Sequence, residues 1–175
     1  MQVFTPAQCI GYVAFVLGVA AFLQKDDRRL KSLLASECLV YTVHFWMLGN
    51  LPAALSALTS SVRTFLAIRT RSRWLAAFII GVNITIGLAF AKTPAAWLPT
   101  LGSCLGTIAV FMLHGIAMRL LVLVATFLWL ANNILSGSIG GTLLEAIIAI
   151  VNISTIIRLY RTPKTETDSG TVREV

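Results

Sequence analysis

The chain has 175 residues, which is the length of one domain, but 57% of them are hydrophobic and 12% are charged. A soluble domain carries about 25% charged residues, and here the mean hydropathy is +0.85. This composition predicts a membrane protein with no room for a separate catalytic or nucleic-acid-binding domain. The net charge of +7 is therefore assigned to a membrane surface, with the lipid bilayer as partner and no nucleic acid.

The apolar runs predict seven transmembrane helices, at about 7–23, 31–49, 51–68, 74–91, 97–113, 119–136 and 140–160. Each run is long enough, or nearly so, to cross a hydrocarbon core of ~30 Å, and in lipid such a segment must be helical. The segments between them carry charges, proline or glycine: 24–29, 49–50, 69–73, 92–94 and 137–141. The residues before the first run contain no Lys or Arg, so we expect a retained span rather than a cleaved signal peptide.

The basic residues predict the orientation of these spans. When the loops alternate between the two sides, 12 Lys and Arg residues fall on the side of the C-terminus and one, Lys92, on the other. Arg63 lies inside a span. Because cytoplasmic loops are enriched in Lys and Arg, the N-terminus is predicted outside and the C-terminus in the cytoplasm of a bacterial inner membrane.

A shift of 88 residues indicates an internal repeat. It places the segment 41–54 on 129–142, so that His44 aligns with Asn132 and Gly49 with Gly137. Two three-helix units in the same orientation need one linking helix, which gives a 3+1+3 plan of the kind found in transporters. The predicted divisions are a first triple-helix bundle, a linker helix, a second triple-helix bundle and a disordered cytoplasmic tail: 1–73, 74–96, 97–161 and 162–175.

Two ionisable residues lie at similar depth in adjacent predicted helices. Glu37 precedes Asn50 by 13 residues and Arg63 follows it by 13, which puts both about 20 Å from the turn. A charge at the bilayer centre costs about 2.5–3.5 kcal/mol on insertion scales, so each one needs a partner or a function. We predict a buried ion pair between them, acting as an inner gate or as an anchor for an anion. The alternative is a neutralised pair that only holds the two helices together.

A second group of polar residues lies near the glycine turn of the second unit, about 9 Å from it. Amide groups offer paired donors and acceptors, and an indole offers a flat face for a small ring-bearing polar solute. The predicted solute-binding residues are His44, Trp129, Asn132, Asn133, Glu145 and Asn152. Hydrogen bonding between helices is the competing explanation, worth about 0.6 kcal/mol per pair on average.

Enzymatic and metal-binding motifs are absent from the sequence. There is no HExxH, P-loop or dinucleotide fingerprint, and the three cysteines lack metal-ligand spacing. We therefore expect a non-enzyme without cofactor or metal, and cysteines that act as small buried apolar residues.

The predicted layout resembles the SWEET, PQ-loop and PnuC-type transporters in architecture. Four stretches resemble the bacterial inner-membrane YgjV family along nearly the whole chain: HFWMLG from His44, RT…RTRS from Arg63, GSIGGTLLE from Gly137 and NISTIIR from Asn152. This second resemblance implies a location and a helical topology rather than a known reaction.

The sequence thus predicts an all-α membrane protein that carries or facilitates a small polar solute by alternating access. The alternative is a non-transporting receptor, assembly factor or scaffold. The identity of the solute and the formation of a homo-oligomer are left open.

Overall fold

The computed structural model describes residues 4–24, 27–70 and 72–161, and these fold into seven α-helices without a β-strand. The helices are α1 (Pro6–Phe22), α2 (Asp27–Met47), α3 (Leu51–Leu66), α4 (Arg73–Phe90), α5 (Leu98–Met112), α6 (Gly115–Leu135) and α7 (Ile139–Arg161). A 3₁₀ helix, Pro94–Trp97, leads into α5. The all-helical prediction is confirmed for this part of the chain. The predicted tail, 162–175, lies outside the described residues.

Four segments are long and apolar enough to cross a membrane, by length and composition: Arg73–Phe90, Pro94–Met112, Gly115–Leu135 and Ile139–Arg161. Their mean hydropathy is between 1.5 and 1.8. The apolar α1 has 17 residues and α3 has 16, so both are shorter than a typical span. Helix α2 has 21 residues but contains several charged side chains in its first half and Glu37 near its middle.

The polarity of the molecule is the reverse of that of a soluble protein. Large apolar side chains such as Trp46 and Phe78 are about 70% exposed (71% and 69%), while His44, Asn133 and Thr107 are fully buried. A soluble monomer rarely exposes so much contiguous apolar surface, whereas a bilayer accepts it. Cys9 lies on this apolar surface, so the expectation of buried cysteines is wrong for that residue. A lipid-facing position accepts a small apolar side chain as readily as the interior does.

Six helices form a closed ring, with α4 outside it. Apart from neighbours in the sequence, α1 contacts α7 and α3 contacts α5, so the ring runs α1, α2, α3, α5, α6, α7 and back to α1. Helix α4 packs against α3 and α5. The centre of the ring contains an aromatic and aliphatic cluster around Tyr41, Phe45 and Leu144.

Two glycine turns connect α2 to α3 and α6 to α7. Gly49 and Gly137 have φ angles of 74° and 68°, a conformation that only glycine adopts without strain. In each turn the amide after the glycine donates to the carbonyl five residues earlier, which is a Schellman motif. The following residues, Asn50 and Ser138, then cap the next helix. The turn predicted over 137–141 is therefore shorter than expected, because Ser138 already starts α7.

Helices α1 and α7 approach each other closely at glycines. A Cβ atom built on Gly140 would lie 2.6 Å from the backbone oxygen of Gly11, a distance that no side chain tolerates. Two turns further along α1 and one turn further along α7, a Cβ atom on Gly18 would meet the side chain of Leu144 rather than backbone. Small residues at such crossings allow backbones to pack without a hydrophobic driving force.

We predict that Gly140→Ala lowers the thermal stability of the purified protein, because α7 must move away from α1. Gly81→Ala is the matched control, since nothing lies within 4 Å of a Cβ at that exposed position of α4. Alanine normally stabilises a helix interior by about 0.5–1 kcal/mol over glycine, so the control should melt at the same temperature or higher. Equal melting temperatures for the two variants would contradict this packing.

Candidate functional site

His44 connects three helices at the end of the ring that carries the glycine turns, which we call the turn end. Its Nδ1 lies 2.7 Å from the backbone oxygen of Ala7 in α1, and its Nε2 lies 2.7 Å from the hydroxyl of Ser138. Because a carbonyl only accepts, Nδ1 carries the proton, and in the neutral ring Nε2 accepts from the Ser138 hydroxyl. The Ser138 oxygen in turn accepts the amide of Gly141 at 3.2 Å. The imidazole is therefore fully engaged within the protein.

Asn132 makes the corresponding bond on the other side of the molecule. Its Oδ1 accepts from Nδ2 of Asn50 at 2.9 Å. The shift of 88 residues that aligns His44 with Asn132 also aligns Asn50 with Ser138. The two bonds thus have the same pattern. In each, the residue that caps the helix after one glycine turn bonds to a polar side chain near the end of the helix that precedes the other turn.

Reasoning from the sequence missed three of the groups that build this region. Asn50 and Ser138 were treated only as turn residues, although the same shift placed one on the other. Gln8 was not singled out, yet its side chain donates to the carbonyl of Gly137 at 2.6 Å and accepts from the amide of Ile139 at 3.1 Å. Gln8 bonds to the backbone of a turn that is far away in the sequence. Such a role cannot be recognised from the residues that surround the glutamine in the sequence.

The predicted ion pair between Glu37 and Arg63 is wrong. Within the described residues no ion pair joins them, because the Arg63 side chain turns to α5 and donates to the carbonyl of Ser103 and the hydroxyl of Thr107, both at 3.2 Å. Glu37 accepts from the thiol of its neighbour Cys38 at 3.4 Å. Depth from the turn was estimated correctly enough to place both residues inside, but it does not give the direction in which a side chain points around the helix.

The remaining predicted site residues do not meet at one point. Trp129 packs against Phe45, with ring centroids 5.9 Å apart. Asn133 donates to the carbonyl of Trp129 at 2.9 Å, within its own helix. Asn152 donates to the backbone oxygen of Arg119 at 2.9 Å, near the start of α6 and thus at the opposite end of the ring. A solute-binding role for these residues stays a prediction.

Glu145 is half-buried on α7, and Glu37 is buried on α2. Tyr41 is buried on α2, and its hydroxyl has no hydrogen-bond partner among the described residues. These three polar side chains lie below the turn end, in the middle parts of α2 and α7.

A pocket with a volume of about 370 Å³ opens at the turn end. Both glycine turns and the segment between α4 and α5 contribute to it. It is lined by Leu48, Gly49, Asn50, Pro52, Phe90, Lys92, Thr93, Ala95, Ala96, Asn132, Leu135 and Ser136. Of the residues predicted from the sequence, only Asn132 lines this pocket. Its side chain is 2% exposed and its Nδ2 has no partner among the described residues.

Comparison with known proteins identifies the family. Residues 5–163 match the model of a family described as bacterial inner membrane protein, Imp-YgjV. The chain is also 38% identical over 164 residues to "Inner membrane protein YgjV" of Escherichia coli (strain K12), covering 94% of this chain and 90% of that protein. The chain belongs to the YgjV family. No solved structure matches this family member.

We predict that His44→Ala and Ser138→Ala are coupled in this YgjV-family protein. A double-mutant cycle on thermal stability should give an interaction of about 0.6–1.7 kcal/mol, the range found for hydrogen bonds between membrane helices. Thr42→Ala combined with Ser138→Ala is the control, because the Thr42 hydroxyl bonds only to its own helix, at Cys38. Additive effects for the His44 pair would contradict the bond.

A second double-mutant cycle tests which side chain is the hydrogen-bond partner of Arg63. We predict that Arg63→Gln is coupled to Thr107→Val, since the guanidinium donates to that hydroxyl. It should be additive with Glu37→Gln within about 0.3–0.5 kcal/mol, the tolerance for independent sites. Strong coupling to Glu37 and none to Thr107 would restore the ion pair expected from the sequence.

Proposed function

We propose that this YgjV-family protein is a non-enzymatic carrier or facilitator of a small polar solute in the bacterial inner membrane. In this proposal all seven helices span the bilayer in a 3+1+3 plan, with the N-terminus outside and the C-terminus in the cytoplasm. Two triple-helix units enclose the transport path, and α4 links them.

The helix contacts support two units related by a pseudo-two-fold axis along the membrane normal. Such an axis exchanges α1 with α5, α2 with α6 and α3 with α7, and so exchanges the contact of α3 with α5 for that of α7 with α1. Both contacts occur. The matching bonds of His44 with Ser138 and of Asn132 with Asn50 obey the same exchange. Parallel repeats of this kind are a common transporter plan, with the substrate site at their interface.

The distribution of charge supports the orientation. Among the described residues, the ends of the helices opposite the turn end carry Arg28, Arg29, Lys31, Arg69, Arg73, Arg119, Arg158 and Arg161. The turn end has Lys92 in the described part of the chain. Basic residues accumulate on the cytoplasmic side, so the turn end would face the periplasm.

The observation that carries the proposal is the pocket at the turn end. Residues of both units and of the linking segment line it, and its polar residues include the buried Asn132. Ligand sites are typically concave, largely apolar, and provided with a few convergent polar groups. Beyond the pocket, the interior polar residues Glu37, Tyr41 and Glu145 would line the path when the two units move apart on the cytoplasmic side.

A non-transporting receptor, assembly factor or scaffold is the second candidate, and one observation favours it. His44 is 0% exposed and is bound at both ring nitrogens, so this predicted site residue already has partners within the protein. In that case the polar groups serve only to hold the helices together.

We predict that a water-soluble metabolite stabilises the purified protein and that Asn132→Ala abolishes the effect. A ligand that binds only the folded state adds about 2.7 kcal/mol at a hundred times its dissociation constant, which is measurable as a higher melting temperature across a metabolite library. Ser61→Ala is the matched control: it removes an interhelical bond, to the carbonyl of Ala35, outside the pocket.

The compounds found in this way are then tested for uptake into proteoliposomes. Uptake that depends on the protein and fails with Asn132→Ala supports the carrier. A library in which no compound changes the melting temperature, together with absent uptake, would favour the scaffold.

A further inference from the structure

The lining of the pocket at the turn end includes one basic side chain, Lys92. We propose that the pocket binds the anionic group, a carboxylate or phosphate, of a small water-soluble acid, with Lys92 as the counter-charge and Asn132 Nδ2 as a hydrogen-bond donor. The inference deepens the proposed function, and it rests on it only for the claim that the bound acid is also transported.

The orientation of the Asn132 amide follows from the helix cap of α3. The backbone amide of Ala53 donates to Asn50 Oδ1 at 3.1 Å, so the other atom of that side chain must be the nitrogen. This nitrogen donates to Asn132 Oδ1 at 2.9 Å and to the hydroxyl oxygen of Ser136 at 2.7 Å. The atom of Asn132 that remains without a partner is therefore Nδ2, which only donates.

The other polar side chains of the pocket also have donors to spare. The Ser136 oxygen accepts from Asn50, which leaves its own hydroxyl proton for a ligand. The Thr93 oxygen accepts the amide of Ala96 at 3.3 Å, which leaves its hydroxyl proton in the same way. No Asp or Glu among the described residues lines the pocket. A lining whose side chains offer donors and no carboxylate fits a ligand rich in acceptors.

Charge favours the same ligand. Lys92 lines the pocket, and within the described ranges it is the one Lys or Arg at this end of the helix ring. Asn50 and Pro52 place the first turn of α3 in the wall, and the positive end of a helix dipole adds to the attraction for an anion. An exposed lysine at such a site contributes through its charge, so the binding should weaken as salt is added.

The size and the apolar part of the wall limit the ligand. A volume of about 370 Å³ is at the lower end of the range of small-molecule sites, about 300–1,000 Å³. Leu48, Phe90 and Leu135 provide the larger apolar side chains of the lining. The pocket therefore suits a short organic acid with an apolar or cyclic body better than a multiply charged nucleotide.

The test measures binding to the full chain in nanodiscs of neutral lipid. The probes are inorganic phosphate and a series of monocarboxylates from acetate to benzoate, each carboxylate paired with its neutral primary amide. We expect at least one anion to raise the melting temperature, and its amide to have little or no effect. Because Lys92→Gln removes the counter-charge, it should weaken binding about tenfold, and added salt should reduce this difference.

Three further variants separate the role of the pocket from that of the fold. Asn132→Asp keeps an acceptor for Asn50 but replaces the free donor by a negative oxygen, so it should abolish binding in a protein that still folds. Lys92→Arg should retain binding. Arg73→Gln removes an exposed charge at the opposite end of α4 and should change nothing.

Equal binding of an acid and its amide, or unchanged affinity in Lys92→Gln, would overturn the inference, as would the absence of binding by every anion. A third arm replaces the neutral lipid by phosphatidylglycerol. Stabilisation by this anionic lipid alone would assign the pocket to a lipid headgroup and would also overturn it.

Uptake measurements distinguish the two proposals. Anion binding without uptake would support the anion site and contradict the proposal that the protein is a carrier. Uptake of a neutral solute that is unaffected by Lys92→Gln supports the carrier and removes the anion site.

Discussion

Hydrocarbon offers no partner to a polar group, and this constraint organises the whole molecule. A side-chain amide, hydroxyl or imidazole in the apolar helices therefore bonds within the protein where a partner is in reach. His44 and Asn132 do so by binding the capping residues of opposite turns, and these two bonds hold the turn end together. The remaining surface is then free to be apolar, as a bilayer requires.

The two contacts that close the ring are built differently. Between α1 and α7, glycines allow the backbones to touch. Between α3 and α5, the Ser60 and Ser103 hydroxyls lie 3.2 Å apart and Arg63 bonds across the interface. The second contact is thus polar and is covered on the outside by α4. The two interfaces that close the ring are therefore unequal: one is close-packed, and the other is hydrogen-bonded and contains the half-buried Arg63.

The functional proposals depend on polar groups that have no hydrogen-bond partner within the described residues. Once Asn50 has capped α3 and bound Asn132, the second amide atom of Asn132 has no partner in the described residues, and Asn132 lines a pocket that includes Lys92. Deeper in the ring, the buried hydroxyl of Tyr41 has no partner among the described residues. Polar groups without a partner are rare in a protein interior. A bound ligand or a change of conformation would supply the missing hydrogen bonds at these positions.

The sequence alone determined the helices, their approximate limits, the positions of both glycine turns and the equivalence of His44 with Asn132. Each of these follows from apolar run length, from glycine at a left-handed position or from a fixed shift along the chain, all of which are local or periodic properties. The tertiary structure decided which partners the polar side chains have. Arg63 binds α5 rather than Glu37, and Asn152 lies at the far end from the pocket, because the rotation of each helix about its axis depends on every neighbour it packs against. Lys92, Asn50 and Asn132 come from three separate segments, so only the folded ring brings them to one pocket.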